Sequence, residues 1–351
     1  MKRLQGLRLP FGLAFAVAAG AVLSAGAAYA QSKTLNVLSN GGSVDKAIQE
    51  ALGDFEKKHD VTIRWIPGSS GDNAAKVVAT KDRPEYDIVM GEDISYQGLS
   101  DRGLLAKLDR SIVTNYDSMR PEGQFKAQDG IIVGFNFNGL FYSTEEFKKN
   151  NWAPPTSWED MYRPEFCKRV GLLSPTVSYT LNFVMMAAGG DVNKVPEAIS
   201  KKISKLKGCI PTLEPSAPKL EEKIQLGEYV IGAYGSVRVI PLSVKGVPVR
   251  FVFPKEGTVR SSTTIAVVKG AANERLGQEF INELLAPKAQ EILMNVQYFF
   301  PVNSKVAIPQ KLIDLGLPTP EQLAKAIVLD HSAVAERRRD WARQIERELA
   351  P

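Results

Sequence analysis

Hydrophobic and polar positions switch between two periods along most of the chain. Thr34 to Ser39 (TLNVLS) is a short β-run that stops at Asn40-Gly41-Gly42. From Ser43 to Lys58 the apolar residues fall at 44, 47, 48, 51, 52 and 55, the spacing of a helix with one buried face. Val61 to Ile66 predicts a second strand ending at Pro67-Gly68-Ser69-Ser70-Gly71, with Asp72-Asn73 as caps of the next helix. Tyr86 to Met90 (YDIVM) predicts a third strand, bounded by Gly91. Strands alternating with helices of this length imply βαβ units and a parallel sheet.

The middle of the chain continues the pattern. Gly130 to Tyr142 (GIIVGFNFNGLFY) is a long, glycine-studded extended run, and Gly171 to Ser174 is a short strand. Ser178 to Ala188 predicts an apolar helix, with further helices over 197–207 and 219–226. Tyr229 to Tyr234, Val249 to Phe253 and Thr263 to Lys269 predict strands, followed by helices near 276–285, 288–296, 321–329 and 334–349. No Pro- or Gly-rich linker divides the chain into halves. The extended runs near 130–142 and 249–257 are therefore the expected crossings between two interleaved lobes. One lobe is expected from 31–134 and 258–351, the other from 135–257, with hinge points near Val133-Gly134-Phe135 and Phe253-Pro254-Lys255.

The N-terminus changes the picture of location and charge. A basic start (Lys2, Arg3, Arg8), an apolar core from Phe11 to Ala25, and Ala28-Tyr29-Ala30 before Gln31 make residues 1–30 a secretory signal peptide. Its removal lowers the formal net charge from +5 to +2, which gives no case for nucleic acid as a partner. Arg337, Arg338, Arg339 and Arg343 alternate with acids, the pattern of a solvated helix face. The two cysteines, Cys167 and Cys209, are an even number in a chain bound for an oxidising compartment, which favours one disulfide over two free thiols.

Catalytic patterns are missing from the sequence. It holds no G-x-S-x-G elbow, HExxH, phosphate-binding P-loop, G-x-G-x-x-G or CxxC, and its two histidines, His59 and His331, sit in charged surface runs. No metal site or cofactor is expected. Small polar residues do cluster just after predicted strands: Ser39-Asn40-Gly41, Ser69-Ser70-Gly71, Gly91-Glu92-Asp93, Ser174-Pro175-Thr176 and Tyr234-Gly235-Ser236. Any one loop reads as an ordinary cap or turn. Five of them in two lobes point to a ligand cleft, because open α/β sheets bind ligands at the carboxyl ends of their strands.

TLNVLSNGG at the start of the mature chain, YDIVMGED followed by Gly103-Leu104-Leu105, and FVFPKEG before a strand resemble the periplasmic solute-binding proteins of ABC transporters. Asn282-Glu283-Leu284-Leu285-Ala286-Pro287 and Tyr298-Phe299-Phe300-Pro301-Val302-Asn303 extend the match, which is most similar to the spermidine/putrescine-binding group. The resemblance implies an α/β, two-lobed type II periplasmic binding protein, each lobe a mixed or parallel sheet flanked by helices, with a two-strand hinge. It implies a monomeric periplasmic receptor, not an enzyme, that hands a solute to permease subunits in the inner membrane.

The ligand expected from these residues departs from the group. Polyamine binders carry an aromatic and an acid soon after the PKEG turn, where this chain has Thr258-Val259-Arg260-Ser261-Ser262-Thr263. Arg260 and Arg238 suit an anionic group as planar forks, and Glu92 or Asp93 suits an amine on the same solute. An amino acid, carboxylate or phosphonate is thus favoured, with Ser39, Asn40, Ser69, Ser70, Asn138, Ser178, Tyr179, Tyr234 and Ser261 as further contacts. The alternatives are a polyamine, ferric iron held at Tyr234, or, as a different class, a periplasmic enzyme.

Overall fold

Two long antiparallel strands, β4 (Ile131–Ser143) and β9 (Val259–Val267), run side by side through the middle of the sheet. A computed structural model describes residues 33–176 and 178–349; the expected signal peptide lies outside them. The other strands are β1 (Lys33–Ser39), β2 (Val61–Pro67), β3 (Ile88–Glu92), β5 (Val170–Leu173), β6 (Leu213–Glu214), β7 (Ile231–Gly235) and β8 (Val249–Val252). Their order is β2-β1-β3-β9-β4-β7-β5-β6, with β8 also paired to β4. β1 lies parallel to both β2 and β3, and β5 parallel to β6 and β7, so each end of the sheet is parallel and the centre is antiparallel.

Each end is covered by helices for the reason its pattern suggested. Leu35, Val37 and Ile88 face the helices Gly42–Leu52, Glu274–Leu285 and Pro287–Gln297 in one apolar cluster. Leu38, Val89 and Ala266 face Val77 and Leu99 on the opposite side. At the other end Leu140, Leu172 and Val230 pack with Phe147, Phe166, Phe183 and Ile199. Trp341, Ile345 and Leu349 of the last helix, His331–Leu349, join this second core, so the end of the chain returns to the lobe built by its middle. Full burial of each such side chain stabilises by roughly 1.5–3 kcal/mol.

Four expectations on elements are corrected. The helix over 43–58 is broken by Gly53, whose φ of 57° ends Gly42–Leu52 before Phe55–His59 begins. The helix over 197–207 is an α-helix, Val195–Lys201, followed by a 3-10 turn, Ile203–Leu206. The helix over 321–329 is confined to Pro320–Leu323. Beyond it Ile327 joins the sheet instead, donating its N–H to Thr258 O (2.8 Å) and accepting from Arg260 N (2.9 Å). Finally, the run 249–257 does not cross the molecule. β8 stays beside the far end of β4, the chain turns at Gly257 (φ 93°), and β9 makes the crossing.

Cys167 and Cys209 form a disulfide, reinforced by Lys168 N donating to Cys209 O (2.8 Å). The bridge lies entirely within the lobe made by the middle of the chain.

Candidate ligand-binding site

The loops that end β1, β2 and β3 meet at one edge, and one buried side chain ties them. Asn73 donates Nδ2 to Ser39 O (2.9 Å) and Met90 O (3.4 Å), joining the ends of β1 and β3. Ser39 is fully buried and its hydroxyl donates to Asp45 Oδ2 (2.6 Å), while Asp45 Oδ1 accepts from Gly41 N (3.0 Å). Ser39 therefore shapes the loop and has its proton committed. Asn40 keeps a buried Oδ1 without a partner. Ser69, rather than Asp72 or Asn73, caps the helix Ser70–Ala79: its Oγ accepts from Asp72 N (3.1 Å) and donates to Asp72 Oδ2 (2.7 Å). Ser70 opens that helix and is half-buried behind Gly91. Glu92 precedes the helix Asp93–Ser100, makes no capping bond, and is exposed.

The opposing wall comes from the second lobe. Tyr234, fully buried at the end of β7, donates its hydroxyl to Glu221 Oε1 (2.7 Å). Its ring meets Tyr179 edge-on at 4.9 Å between centroids. Arg238 sits in the first turn of the helix Ser236–Val244, half exposed, with Nη1 3.8 Å from Glu221 Oε1. Burial pushes the Tyr179 phenol up; the Arg238 charge works against this, and Glu92 and Glu221 add to it. Tyr179 thus senses Arg238 on its own lobe and Glu92 from the other. Burial and the bond to Glu221 also push Tyr234 up, so both phenols stay protonated at neutral pH. Ser178 opens the helix Ser178–Ala187 and is exposed.

β4 and β9 form the floor between the walls, and their pleat decides which residues share a face. Successive strand side chains point to opposite faces. On one face Asn136 donates Nδ2 to Ser261 Oγ (3.1 Å), and its Oδ1 accepts from Ser236 Oγ (3.2 Å) and Val237 N (3.4 Å). Asn138 shares that face; it donates Nδ2 to Val259 O (3.2 Å) and has a buried Oδ1 with no partner. On the other face lie Phe135, Phe137 and Arg260, the guanidinium standing 4.3 Å over the Phe135 ring. Arg260 therefore lies behind the floor, away from Ser261 and Arg238. Asp93 sits at the edge of β9, accepting from Ser262 N (2.9 Å).

The arrangement brings Glu92, Tyr179, Tyr234, Arg238, Asn138 and Ser261 toward one cleft and sends Arg260 elsewhere. Asn136 and Glu221 adjoin these residues and were missed, while Ser236 lies in the Tyr234-Gly235-Ser236 loop already marked in the sequence. The alternating asparagines of FNFN were the available signal for Asn136. Glu221 lay in a charged helix that reads as solvated surface. Among the described residues no cluster of three or more His, Cys, Asp or Glu side chains could hold a metal ion.

Comparison with known proteins bears on the family and the fold. The family model described as bacterial extracellular solute-binding protein matches residues 50–316. A gamma-aminobutyric acid-binding protein of Pseudomonas aeruginosa is 28% identical over 334 residues, covering 91% of this chain and 89% of that protein. The spermidine/putrescine-binding periplasmic protein 1 of Haemophilus influenzae is 25% identical over 279 residues, 75% of each chain. The fold matches an ABC transporter substrate-binding protein from Bradyrhizobium japonicum with a TM-score of 0.73 at 22% identity, covering 89% of this chain and 99% of that one. With its two-lobed type II architecture and a family match over most of its length, the chain belongs to the bacterial extracellular solute-binding proteins.

Proposed function

We propose that the chain is a periplasmic receptor for a small zwitterion, an amino acid whose amine and carboxylate are separated by a short apolar chain. The observation that carries this reading is a tyrosine reached by opposite charges, Arg238 on its own lobe and the exposed Glu92 on the other, both acting on the Tyr179 phenol. Arg238 receives the carboxylate as a planar fork at a helix N-terminus, where the backbone dipole also favours an anion. Glu92 receives the amine, and the Tyr179 ring covers the intervening methylenes. Asn40, Asn138 and Ser261 supply neutral hydrogen bonds.

The gamma-aminobutyric acid-binding relative, aligned over nine-tenths of the chain, supports this ligand class. Relatives that bind polyamines support the alternative, yet an arginine in the cleft repels a dication. A ferric site gains a second tyrosine in Tyr179, but both phenols are held protonated, which opposes the oxyanion such a site needs.

The solute contacts both lobes only when they close, so binding shifts the open–closed equilibrium by that difference in affinity. The hinge of this reading lies in the paired crossing strands, at Val133-Gly134-Phe135 of β4 and the part of β9 that pairs with it. The receptor acts as a monomer, carries out no chemistry, and passes its solute to inner-membrane permease subunits after export by the signal peptide of residues 1–30.

Calorimetric titration of the mature protein with gamma-aminobutyric acid and with spermidine tests the reading. The expected result is a micromolar dissociation constant for the amino acid, about −8 kcal/mol, and recovery of the ligand unchanged. Scattering should show compaction on binding. Tight spermidine binding without response to the amino acid would restore the polyamine assignment.

A further inference from the structure

A cavity of about 690 Å³ lies behind the hinge strands, on the face of β9 that carries Arg260. Its volume is that of a small-molecule site, about 300–1,000 Å³. None of Glu92, Tyr179, Tyr234, Arg238 or Ser261 lines it. One wall is the helix Asp93–Ser100, a second is the loop around Phe125, and the third is Val328–Asp330, which leads into the final helix packed on the other lobe. An occupant therefore touches elements of both lobes.

Most acids of the lining already have donors. Asp129 accepts from Tyr96 and from Ser100 Oγ (2.8 Å), with Lys107 Nζ at 3.7 Å. Asp330 Oδ1 accepts from Ala333 N (3.0 Å) and Asp101 from Gln97 Nε2 (2.6 Å). Asp93 accepts from Ser262 N (2.9 Å). Arg260 differs from them. It is 8% exposed, stacked on Phe135, and its buried Nε has no hydrogen-bond partner. A buried cation with an open donor is costly unless an acceptor arrives.

We propose that this cavity is a second ligand site, behind the hinge and separate from the solute cleft, which takes a small anion on the guanidinium of Arg260. The recognised chemistry is a pair of anionic oxygens, of a carboxylate or a phosphate, presented to the planar fork. The Phe135 face fixes the guanidinium plane; of the other lining cations, Lys107 is held by Asp129 and Ala127 O, and the exposed Lys126 adds a positive charge. Burial alone pulls the Arg260 pKa down, countered in part by Asp93 and Glu122, so an anion at Nε would act in the same direction as those acids.

The test uses mature, disulfide-intact protein at constant ionic strength, titrated with succinate in one arm and inorganic phosphate in the other. One of the two should raise the melting temperature by several degrees, and the Arg260 Nε–H resonance of the wild-type protein should shift as the anion saturates. Arg238→Ala should retain both responses, and Arg260→Met should lose the thermal one. Arg260→Lys, which keeps the charge without the fork, should weaken binding about tenfold. An unmoved Nε–H resonance with both anions up to tens of millimolar would overturn the proposal, as would an equal stabilisation of Arg260→Met. Loss of the response in Arg238→Ala alone would place the anion in the front cleft and refute a second site.

Discussion

The two lobes present the same cleft with different materials. The first offers loop ends whose hydroxyls are largely committed to local structure, Ser39 to Asp45 and Ser69 to Asp72, with Glu92 left exposed among them. The second offers a preassembled unit, Tyr234 and Arg238 on Glu221 with Tyr179 against Tyr234, in a lobe stapled by Cys167–Cys209. The difference teaches where order is stored before the solute arrives. A guanidinium already paired with a carboxylate of its own lobe loses less freedom on binding than an unpaired one. The exposed carboxylate opposite is ordered only on closure.

The largest effect should come from cutting the staple. Replacing both cysteines by serine should destabilise the protein by about 4 kcal/mol for a loop of this length in the chain-entropy model. Hydrogen exchange should rise first in β5, β7 and the helix Val195–Lys201. Equal loss of protection in β1 and β3 would erase the distinction between the lobes.

Next in size is Arg238→Ala, which should weaken amino-acid binding by about 2–5 kcal/mol, the cost of removing one partner of a desolvated ion pair. Its melting temperature without ligand should stay near that of the wild type, since the side chain is half exposed. A normal affinity in this variant would move the carboxylate site away from the second lobe. Glu92→Gln should cost about 1.5 kcal/mol, and the loss should vanish for a ligand whose amine is replaced by a methyl group. That contrast separates amine recognition from general weakening.

The smallest effect concerns acid stability in the stapled lobe. Arg169 hydrogen-bonds Glu146 at 2.8 Å and holds its carboxyl below the usual range. A carboxyl depressed in the folded state contributes stability that is complete above its unfolded value, about 4.3, and is lost as pH falls through the folded value. The gap in melting temperature between the wild type and Glu146→Gln should therefore be constant near neutrality and shrink below about pH 4.

Element types were legible where one period held for a whole segment, as in β1, β4 and the helix Glu274–Leu285. Ends were read less well because they depend on single backbone choices. Gly53 in a left-handed conformation split one helix, and Ser69 displaced Asp72-Asn73 as a cap by sitting one turn earlier. The segment after Leu323 has helical spacing, yet the edge of β9 at Thr258–Arg260 had open backbone groups, and Ile327 satisfies them. Local propensity lost to that pairing.

For the site, residue types and their positions after strands were visible in the chain itself. The alternation of strand and helix determined an α/β protein, the even cysteines in an exported chain favoured the bridge, and the loops after β1, β2, β3 and β7 were marked by small polar residues. Which of those residues share a cleft was decided only by tertiary structure. Arg260 and Ser261 are neighbours in sequence, and a strand's two-residue period puts them on opposite faces of the hinge. Arg238 and Glu92 lie far apart in sequence and come to opposite walls of one cleft, because β4 and β9 carry the chain through both lobes. Periodicity is a local property of the backbone, whereas facing is set by the partners each strand finds.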